Sequence, residues 1–369
     1  MRILILNGGT GSVKAALAEA VGDRVTVRAR FMVEASSGRE VAHLFTELIK
    51  QVGADSATVD AIGHRVVHGG RQFTSPVLID AEVEAGIEAL VPLAPLHNPV
   101  ALAGIRVARS ELAGRPMVAV FDTAFHAHRS RASLHYALPP DLTESLGLFR
   151  YGFHGIAHAS LAEGVAEGER IPLSEVTAVT LQLGHGCSAC AIKQGASIET
   201  SMGFTPLEGL MMSTRSGDVD AALVLYLLRQ GRAVDEVEDL LTRRSGLLGV
   251  GGMEDMRLLL RAEADGDARA AFAIELFVRR IVATVGAYFT LLGGLAPLVF
   301  GGGIGENSAE IRRRVIEGLT AWGLDLDPER NARGEPGRIS TEASRPVYVV
   351  RTDEETQIAR GVARLIQKL

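Results

Sequence analysis

One pattern that occurs twice, about 175 residues apart, constrains the fold of this chain more than any other feature. Each copy has an apolar run, a glycine-rich turn and a second apolar or alternating run, which is typical of two strands joined by a turn. The first copy comprises residues 3–6, 7–12 and 13–17, and the second comprises residues 179–183, 184–188 and 189–192. The repeat predicts a duplicated architecture, with one copy in each of two domains.

Helical patterns fill the intervals between the predicted strands. Residues 100–112, which follow Pro99, and residues 219–228 have helical apolar spacing. A further strand is predicted at 347–350, and a last helix follows it. Because strands and helices recur along the whole length, the sequence predicts an α/β fold.

The stretch 281–304 carries no formal charge and has about the length of a transmembrane helix. Gly293, Gly294 and Pro297 interrupt it, which predicts a buried helix followed by a short strand at 298–300. The chain has only two cysteines and no apolar stretch at its start long enough for a signal peptide. These features predict a cytoplasmic protein in a reducing compartment. The net charge of −6 does not favour binding to nucleic acid.

Three glycine turns, each leaving a predicted strand, are candidate phosphate sites. They lie at residues 7–12, 184–188 and 301–305. Successive backbone N–H groups in such a turn can cradle an anion. The first turn does not match the Walker pattern, because Lys14 follows Val13 in a strand rather than a glycine.

Several charged residues stand beside glycines or at strand ends. Arg65 stands between apolar neighbours just before glycines, and Arg215 lies in a polar loop ahead of a predicted helix. Together with the phosphate sites, both suit guanidinium clamps on a phosphoryl group. Asp122 follows a predicted strand at 117–120, a common position for an acid that faces a ligand, and His154 is bracketed by glycines. A metal-dependent hydrolase is the rival interpretation, but no compact metal-ligand spacing favours it.

Taken together, these motifs resemble the acetate kinase (acetokinase) family, within the superfamily of actin-like ATPases. The matching segments are His-Arg-Val-Val-His-Gly-Gly at 64–70, Pro-Leu-His-Asn-Pro at 95–99, Tyr-Gly-Phe-His-Gly at 151–155, the run 200–212, Thr-Arg-Ser-Gly-Asp at 214–218 and Gly-Gly-Ile-Gly-Glu-Asn at 302–307. The resemblance implies two duplicated ribonuclease H-like (actin-like ATPase) domains with a cleft between them. The expected domains are residues 1–122 plus 356–369 and residues 123–355, the latter binding nucleotide and forming a homodimer.

The resemblance also implies reversible transfer of the γ-phosphoryl group of ATP to acetate, and a role for each matched residue. The expected catalytic residues are Arg65, Asp122, His154 and Arg215. The expected acetate pocket is Val67, Leu96, Phe153 and Pro206. The expected nucleotide contacts are Lys14, Gly184, His185, Gly186, Asp255, Arg257, Gly302, Gly303 and Ile304. Asn7 and Glu354 are expected to hold Mg²⁺, or Mn²⁺ in its place.

The chemistry agrees with these assignments. A carboxylate acceptor is already ionised at neutral pH, so the reaction requires no general base. The enzyme must instead position two anions and neutralise their repulsion.

The sequence departs from the family on the donor side, where Gln182 and His185 replace a histidine and an asparagine. The departure leaves two alternatives, another donor such as pyrophosphate or a binding protein with weakened catalysis. A propionate or butyrate acceptor is a third alternative, because one methylene of acceptor discrimination is worth only about 1–3 kcal/mol.

Overall fold

The computed structural model describes residues 1–9, 12–22, 24–34, 40–53, 58–294 and 296–368. Contacts divide the chain into two compact units. The first comprises Met1–Ala127, Phe153–Ser160 and Asp353–Leu369, and the second comprises His128–Gly152 and Leu161–Thr352. The domain boundaries expected from the sequence stay a prediction. Thr10 and Gly11 of the first glycine turn lie outside the described residues.

The described residues form two sheets and the helices that pack on them. The strands are β1 (Arg2–Gly8), β2 (Ser12–Val21), β3 (Arg24–Glu34), β4 (Ala61–Val66), β5 (Val77–Leu78), β6 (Met117–Phe121), β7 (Ala178–Leu183), β8 (Cys187–Lys193), β9 (Ala196–Thr200), β10 (Leu298–Gly301), β11 (Gly337–Arg338) and β12 (Val347–Val349). The helices are α1 (Val41–Val52), α2 (Ala81–Ala89), α3 (Asn98–Glu111), α4 (Arg131–Leu134), α5 (Pro140–Leu146), α6 (Gly155–Glu169), α7 (Ala221–Arg229), α8 (Val234–Arg243), α9 (Gly246–Gly251), α10 (Met256–Ala264), α11 (Ala268–Leu292), α12 (Gly302–Asn307), α13 (Ala309–Glu317), α14 (Pro328–Arg333) and α15 (Glu354–Ile366). Short 3₁₀ helices lie at Val91–Leu93, Ala124–His126, Leu173–Glu175 and Thr320–Trp322.

The first unit has a sheet with the strand order β3-β2-β1-β4-β6-β5. Strands β1 to β3 are antiparallel, whereas β1, β4 and β6 run parallel. Because successive side chains point to opposite faces, Leu4 and Leu6 pack in the core that includes residues of α1 and α3, and Ile3 and Ile5 pack with α15. Both faces of β1 are therefore buried.

The second unit repeats this topology with the strand order β11-β12-β10-β7-β8-β9. Strands β7 to β9 are antiparallel, β7, β10 and β12 run parallel, and the short β11 pairs antiparallel with β12. The short β5 pairs antiparallel with β6 in the same way in the first unit. The predicted α/β class and the predicted duplication of an actin-like fold are confirmed.

The apolar stretch at 281–304 forms the end of α11 and strand β10, as the sequence predicted. None of the helices in the described part of the chain combines the length and the apolar character needed to cross a membrane. The third glycine turn differs from its prediction, because residues from Gly302 onwards form the six-residue helix α12 rather than an open turn. Gly302 has a φ of 74°, and a Cβ there would lie 2.6 Å from the carbonyl oxygen of Leu183. Only glycine fits this close approach.

Candidate functional site

In the first unit, Arg65 and Asp122 are brought together by two neighbouring parallel strands. Arg65 lies on β4 opposite Val120 of β6, and Asp122 directly follows β6. The Arg65 Nε lies 3.1 Å from each carboxylate oxygen of Asp122, and its Nη2 lies 2.5 Å from Oδ2. Asp122 is fully buried and Arg65 is largely buried, so the pair is shielded from water.

Asn7 connects this pair to Glu354. Its side-chain oxygen accepts a hydrogen bond from Arg65 Nη1 at 3.0 Å, and its Nδ2 donates to Glu354 Oε2 at 3.1 Å. Asn7 lies on β1, beside β4, and Glu354 is the first residue of α15. We call these four residues, Asn7, Arg65, Asp122 and Glu354, the Arg65 cluster.

A glycine on β4 allows α15 to come this close to the sheet. A Cβ on Gly63 would lie 2.8 Å from side-chain atoms of both Ile358 and Val362. Real Cβ atoms almost never approach other atoms so closely, so any larger residue here would push α15 away. The position of Glu354 beside Arg65 therefore depends on Gly63 as well as on its own hydrogen bond to Asn7.

The charges of the Arg65 cluster stabilise one another. Burial opposes the charged form of Arg65, but Asp122 and Glu354 raise its pKa above the ordinary value. Burial likewise opposes ionisation of Glu354, but Arg65 and Lys14 hold the pKa of that carboxyl below its usual range. Burial raises the pKa of Asp122, and the bonded guanidinium counteracts this shift. The cluster is thus a partly desolvated set of fixed charges, of the kind that can stabilise charge developing on a bound anion.

His154 lies in the first unit near this cluster and has an uncommon backbone conformation. Its φ is 58°, in the left-handed region. The following Gly155 donates its N–H to the carbonyl oxygen of Asp122 at 2.9 Å. The backbone of Asp122 therefore anchors the segment that carries His154. The imidazole is close enough to Glu354 to lower the pKa of that carboxyl.

The four residues expected to form an acetate pocket are distributed over both units. Val67 and Phe153 are buried in the first unit, where Phe153 makes an edge-to-face contact with His68 at 5.5 Å. Leu96, in the same unit, is 49% exposed. Pro206 belongs to the second unit, and its carbonyl oxygen accepts a hydrogen bond from Arg215.

Arg215 is therefore held within the second unit. Its Nη1 lies 3.0 Å from the Pro206 oxygen and 3.7 Å from Met212 Sδ. Burial lowers the pKa of Arg215, and the neighbouring Cys187 partly offsets that effect. Both partners are neutral, and among the described residues no carboxylate forms an ion pair with this guanidinium. A guanidinium can bind an anion such as a phosphoryl group.

A cavity of about 750 Å³ lies in the second unit. It is lined by Gly184, His185, Ser213, Glu254, Asp255, Met256, Arg257, Leu260, Gly303, Ile304, Asn307, Ser308, Ala309 and Glu310. Six of the nine predicted nucleotide residues are in this lining, namely Gly184, His185, Asp255, Arg257, Gly303 and Ile304. The structure thus brings together segments more than a hundred residues apart around a volume suited to a small-molecule ligand.

The remaining three predicted nucleotide residues lie elsewhere. The carbonyl oxygen of Gly186 accepts from the N–H of Gly184 in the turn after β7, and Gly302 is the first residue of α12. Lys14 belongs to the first unit, where it lies opposite Asn7 in the β1–β2 pairing. Its positive charge helps to lower the pKa of Glu354 in the Arg65 cluster.

The sequence interpretation missed a group of hydrogen bonds beside the cavity. Thr352 Oγ1 donates to Gln182 Oε1 at 2.8 Å and accepts from the N–H of Gly302 at 3.0 Å. The Glu306 carboxylate accepts from the N–H groups of Gly302 and Thr352, both at 3.0 Å. Gln182, one of the two departures from the family, is therefore integrated in a hydrogen-bond network. In the sequence, the spacing of four residues between Gly302 and Glu306 could have indicated their contact at the start of a helix.

The possible metal ligands in the first unit are oxygen atoms. Among the described residues, no group of three or more His, Cys, Asp and Glu side chains is arranged to hold a metal ion. Glu354, Asp122 and the amide oxygen of Asn7 offer the hard oxygen donors that Mg²⁺ prefers. This ion commonly binds through one or two carboxylates, so the chemistry of these donors fits it.

Comparison with known proteins identifies the family. A model described as the acetokinase family matches residues 27–360. The chain belongs to the acetokinase family. Among its relatives, an acetate kinase of Caldicellulosiruptor bescii is 39% identical over the whole of both chains, and one of a Synechococcus strain is 48% identical over 89% of this chain and 83% of its own.

Solved structures of acetokinase-like proteins agree with this membership. The crystal structure of Porphyromonas gingivalis acetate kinase superimposes with a TM-score of 0.88 at 35% identity, covering 99% of each chain. The crystal structure of a propionate kinase from Francisella tularensis gives a TM-score of 0.87 at 37% identity, covering 98% of each chain. The resemblance and the fold class predicted from the sequence are both confirmed.

Proposed function

We propose that this chain is an acetate kinase, which transfers the γ-phosphoryl group of ATP reversibly to acetate and gives acetyl phosphate and ADP. A carboxylate oxygen forms the new P–O bond while the bond to the ADP oxygen breaks, and no proton moves. The observation that carries the proposal is the Arg65 cluster, in which a largely buried arginine is held by Asp122 and Asn7 in a chain of the acetokinase family. It supports a reaction whose main barrier is the repulsion of two anions.

The two arginines act on the phosphoryl group. Arg65 is held rigidly by Asp122 and Asn7, so its remaining donor capacity has a fixed direction. Within the described part of the chain, the hydrogen-bond partners of Arg215 are neutral, namely the Pro206 carbonyl and the Met212 sulfur. Both guanidinium groups stabilise the charge that spreads over the phosphoryl oxygens during transfer, and His154 assists them. Asp122 orients Arg65 rather than accepting a proton.

The acceptor is a short carboxylate. The family resemblance assigns Val67, Leu96, Phe153 and Pro206 to its methyl group, and the bulk of Val67 favours a small acid. Propionate is the second candidate, since a propionate kinase is among the most similar structures. One methylene changes acceptor discrimination by only about 1–3 kcal/mol, so both acids are expected to react at different rates.

The cavity of the second unit takes the nucleotide. Gly303 and Ile304 approach it from α12, and Asp255 and Arg257 approach it from the start of α10. Asp255 caps α10 and is paired with Arg257 at 2.5 Å, so this edge of the cavity is ordered by its own contacts. Such a pre-formed edge supports binding of a base and ribose.

Mg²⁺ is the metal that fits the oxygen donors of the first unit. Glu354 and Asn7 would hold it together with the phosphates of the nucleotide, and when bound it would neutralise charge on the transferring group. Residues of the Arg65 cluster orient those donors: Asn7 donates to Glu354, and Arg65 helps to hold the pKa of the Glu354 carboxyl below its usual range against the effect of burial.

One departure from the family, His185, lies at the nucleotide cavity. His185 is exposed and lines the cavity where the family has an asparagine, and Ser213 donates its N–H to the His185 carbonyl. Because the imidazole ring is larger than an asparagine side chain, we expect an altered affinity for ATP or the use of a second donor such as pyrophosphate. If the ring obstructs ATP, His185→Asn lowers the KM for ATP.

The family resemblance further implies a homodimer in the cytoplasm, where ATP is available. One surface of the second unit supports self-association: helix α7 has no buried side chain, and its Leu225 and Tyr226 are more than half exposed. Light scattering of the wild-type protein and of Tyr226→Glu tests this assignment. A monomeric wild-type protein contradicts it.

A turnover assay with purified protein tests the proposed function. Acetate, propionate and butyrate are each combined with ATP, GTP or pyrophosphate and Mg²⁺, and acyl phosphate is trapped with hydroxylamine. The highest kcat/KM is expected for acetate with ATP. Folded protein that forms no acyl phosphate with any pair contradicts a kinase and leaves the binding-protein alternative.

A further inference from the structure

Arg312, on α13, is a charged residue buried in the second unit, with 1% of its surface exposed. Four hydrogen bonds satisfy its guanidinium. Nε donates to Asn331 Oδ1 at 2.8 Å and Nη2 to the Asn331 carbonyl at 2.7 Å. Nη1 donates to the carbonyl oxygens of Gly305 and Glu306 at 2.9 and 2.8 Å. No carboxylate of the described residues forms an ion pair with it.

Two of these acceptors belong to the last turn of α12. The final carbonyl groups of a helix have no partner within the helix and carry partial negative charge, so a cation there is favourable. Burial lowers the pKa of Arg312 to about 10, which still leaves it charged at neutral pH. A buried charge is costly unless it is well hydrogen-bonded, and here its bonds go to the backbone it stabilises.

Helix α12 has little stability of its own. It comprises six residues, three of them glycine, and a helix so short does not persist without outside contacts. At its other end, the N–H of Gly302 donates to Glu306 Oε1 and Thr352 Oγ1. The helix is therefore fixed at both ends by side chains, with Arg312 at the carboxyl end.

The same helix supplies part of the cavity wall. Gly303, Ile304 and Asn307 line the cavity, whereas Arg312 does not. We propose that Arg312 is a positioning residue for nucleotide binding, which acts by holding α12 where Gly303 and Ile304 meet the ligand. This inference rests on the proposed function, in which the cavity takes ATP or ADP.

A merely structural role predicts something different. If Arg312 only stabilised the fold, its loss would lower the melting temperature and leave the ligand affinities of the remaining folded protein unchanged. A positioning role predicts that the affinity for the nucleotide falls while the affinity for acetate is kept, because none of the residues assigned to acetate lies on α12.

The test compares Arg312→Lys and Arg312→Met with the wild-type enzyme. The KM for ATP is expected to rise on the order of ten- to a hundredfold, while the KM for acetate stays within about twofold. The rise in melting temperature on adding ADP is expected to shrink in Arg312→Lys and to disappear in Arg312→Met. Asn331→Ala removes the acceptor of the Arg312 Nε and is also expected to raise the KM for ATP. This variant replaces Arg312→Met in the test if Arg312→Met does not fold.

Val315→Ala is the matched control. Val315 is buried on the same helix and does not line the cavity, so its loss should lower the melting temperature without a selective change in KM for ATP. Arg312 and Asn331 variants that melt earlier but keep the wild-type KM for ATP and the full ADP effect overturn the positioning role alone. A wild-type protein that shows neither an ADP effect nor turnover overturns the proposed function, and this inference with it.

Discussion

The guanidinium of Arg65 meets the carboxylate of Asp122 side by side, with Nε 3.1 Å from both oxygens and Nη2 2.5 Å from Oδ2. The arrangement uses one edge of the guanidinium and leaves the Nη1 edge for Asn7 and for a ligand. Because Asp122 is fully buried, water does not compete with Arg65 for its carboxylate.

Asp122→Asn should therefore reduce both stability and turnover. The substitution keeps the shape of the side chain but leaves the largely buried Arg65 without its main counter-charge, which is expected to cost about 3 kcal/mol of unfolding free energy. Loss of the fixed direction of Arg65 should lower kcat more than it raises the KM for acetate. Urea unfolding and steady-state kinetics measure the two effects. Glu88→Gln, which removes an exposed acid paired with Arg106 in the same unit, should leave both unchanged.

Gly155→Ala should disturb His154 and Asp122 together. The added methyl group would lie 2.8 Å from Cβ of Phe125 and closer still to the carbonyl oxygen of Asp122, so the backbone would have to move. A loss of about 1–3 kcal/mol in stability and a fall in kcat are expected, measured by thermal unfolding and initial rates. Gly286→Ala in α11 is the control, since the nearest described atom outside the backbone of that helix, Trp322 Nε1, would lie 3.8 Å from the new methyl group. Equal activity of both variants would contradict the role of Gly155.

Buried histidines make the fold sensitive to acid. Burial, aided by Arg109, lowers the pKa of His64 to about 3, and burial lowers that of His68 to about 4. The unfolded chain, with pKa values near 6.5, binds more protons than the folded chain below that pH. Stability is therefore fully present above about pH 6.5 and falls as the pH drops toward these folded-state values.

The contribution of His64 can be isolated by mutation. Between pH 7.5 and pH 5 this residue alone should account for about 2 kcal/mol of lost unfolding free energy. His64→Leu should remove that part of the pH dependence. The Nε2 of His64 is buried and has no hydrogen-bond partner among the described residues, and the neighbouring Leu6 and Ala119 are apolar. Urea unfolding at both pH values measures it, with the exposed His43→Gln as the control. An unchanged pH dependence in His64→Leu would refute the assignment.

Much of the fold could be predicted from the sequence because local residue patterns indicate its strands, turns and helices. The two strand–turn–strand copies became β1–β2 and β7–β8, each at the centre of a sheet with the same topology. The break in the long apolar stretch marked the end of α11 correctly. Periodicity and glycine positions report local backbone structure, so these features were accessible.

The details of the candidate site depend on contacts that no local pattern records. Arg65 and Asp122 are 57 residues apart, and only the register of β4 and β6 brings them together. The left-handed conformation of His154 depends on the backbone of Asp122 rather than on its glycine neighbours alone. Arg312 follows the buried Ile311, and an arginine in a helix gives no sign that it is itself buried.

The rate constants of Arg65→Ala and Arg215→Ala test the central claim most directly, namely that two guanidinium groups stabilise a phosphoryl group during transfer to a carboxylate. Each variant should lose on the order of a hundred- to a thousandfold in kcat, because the contacts strengthen as charge shifts in the transition state. Arg71→Ala, an exposed arginine near Arg65 in the chain, should retain wild-type kcat. If folded Arg65→Ala and Arg215→Ala change only KM and keep kcat, the two arginines do not act on the transition state and the account is wrong.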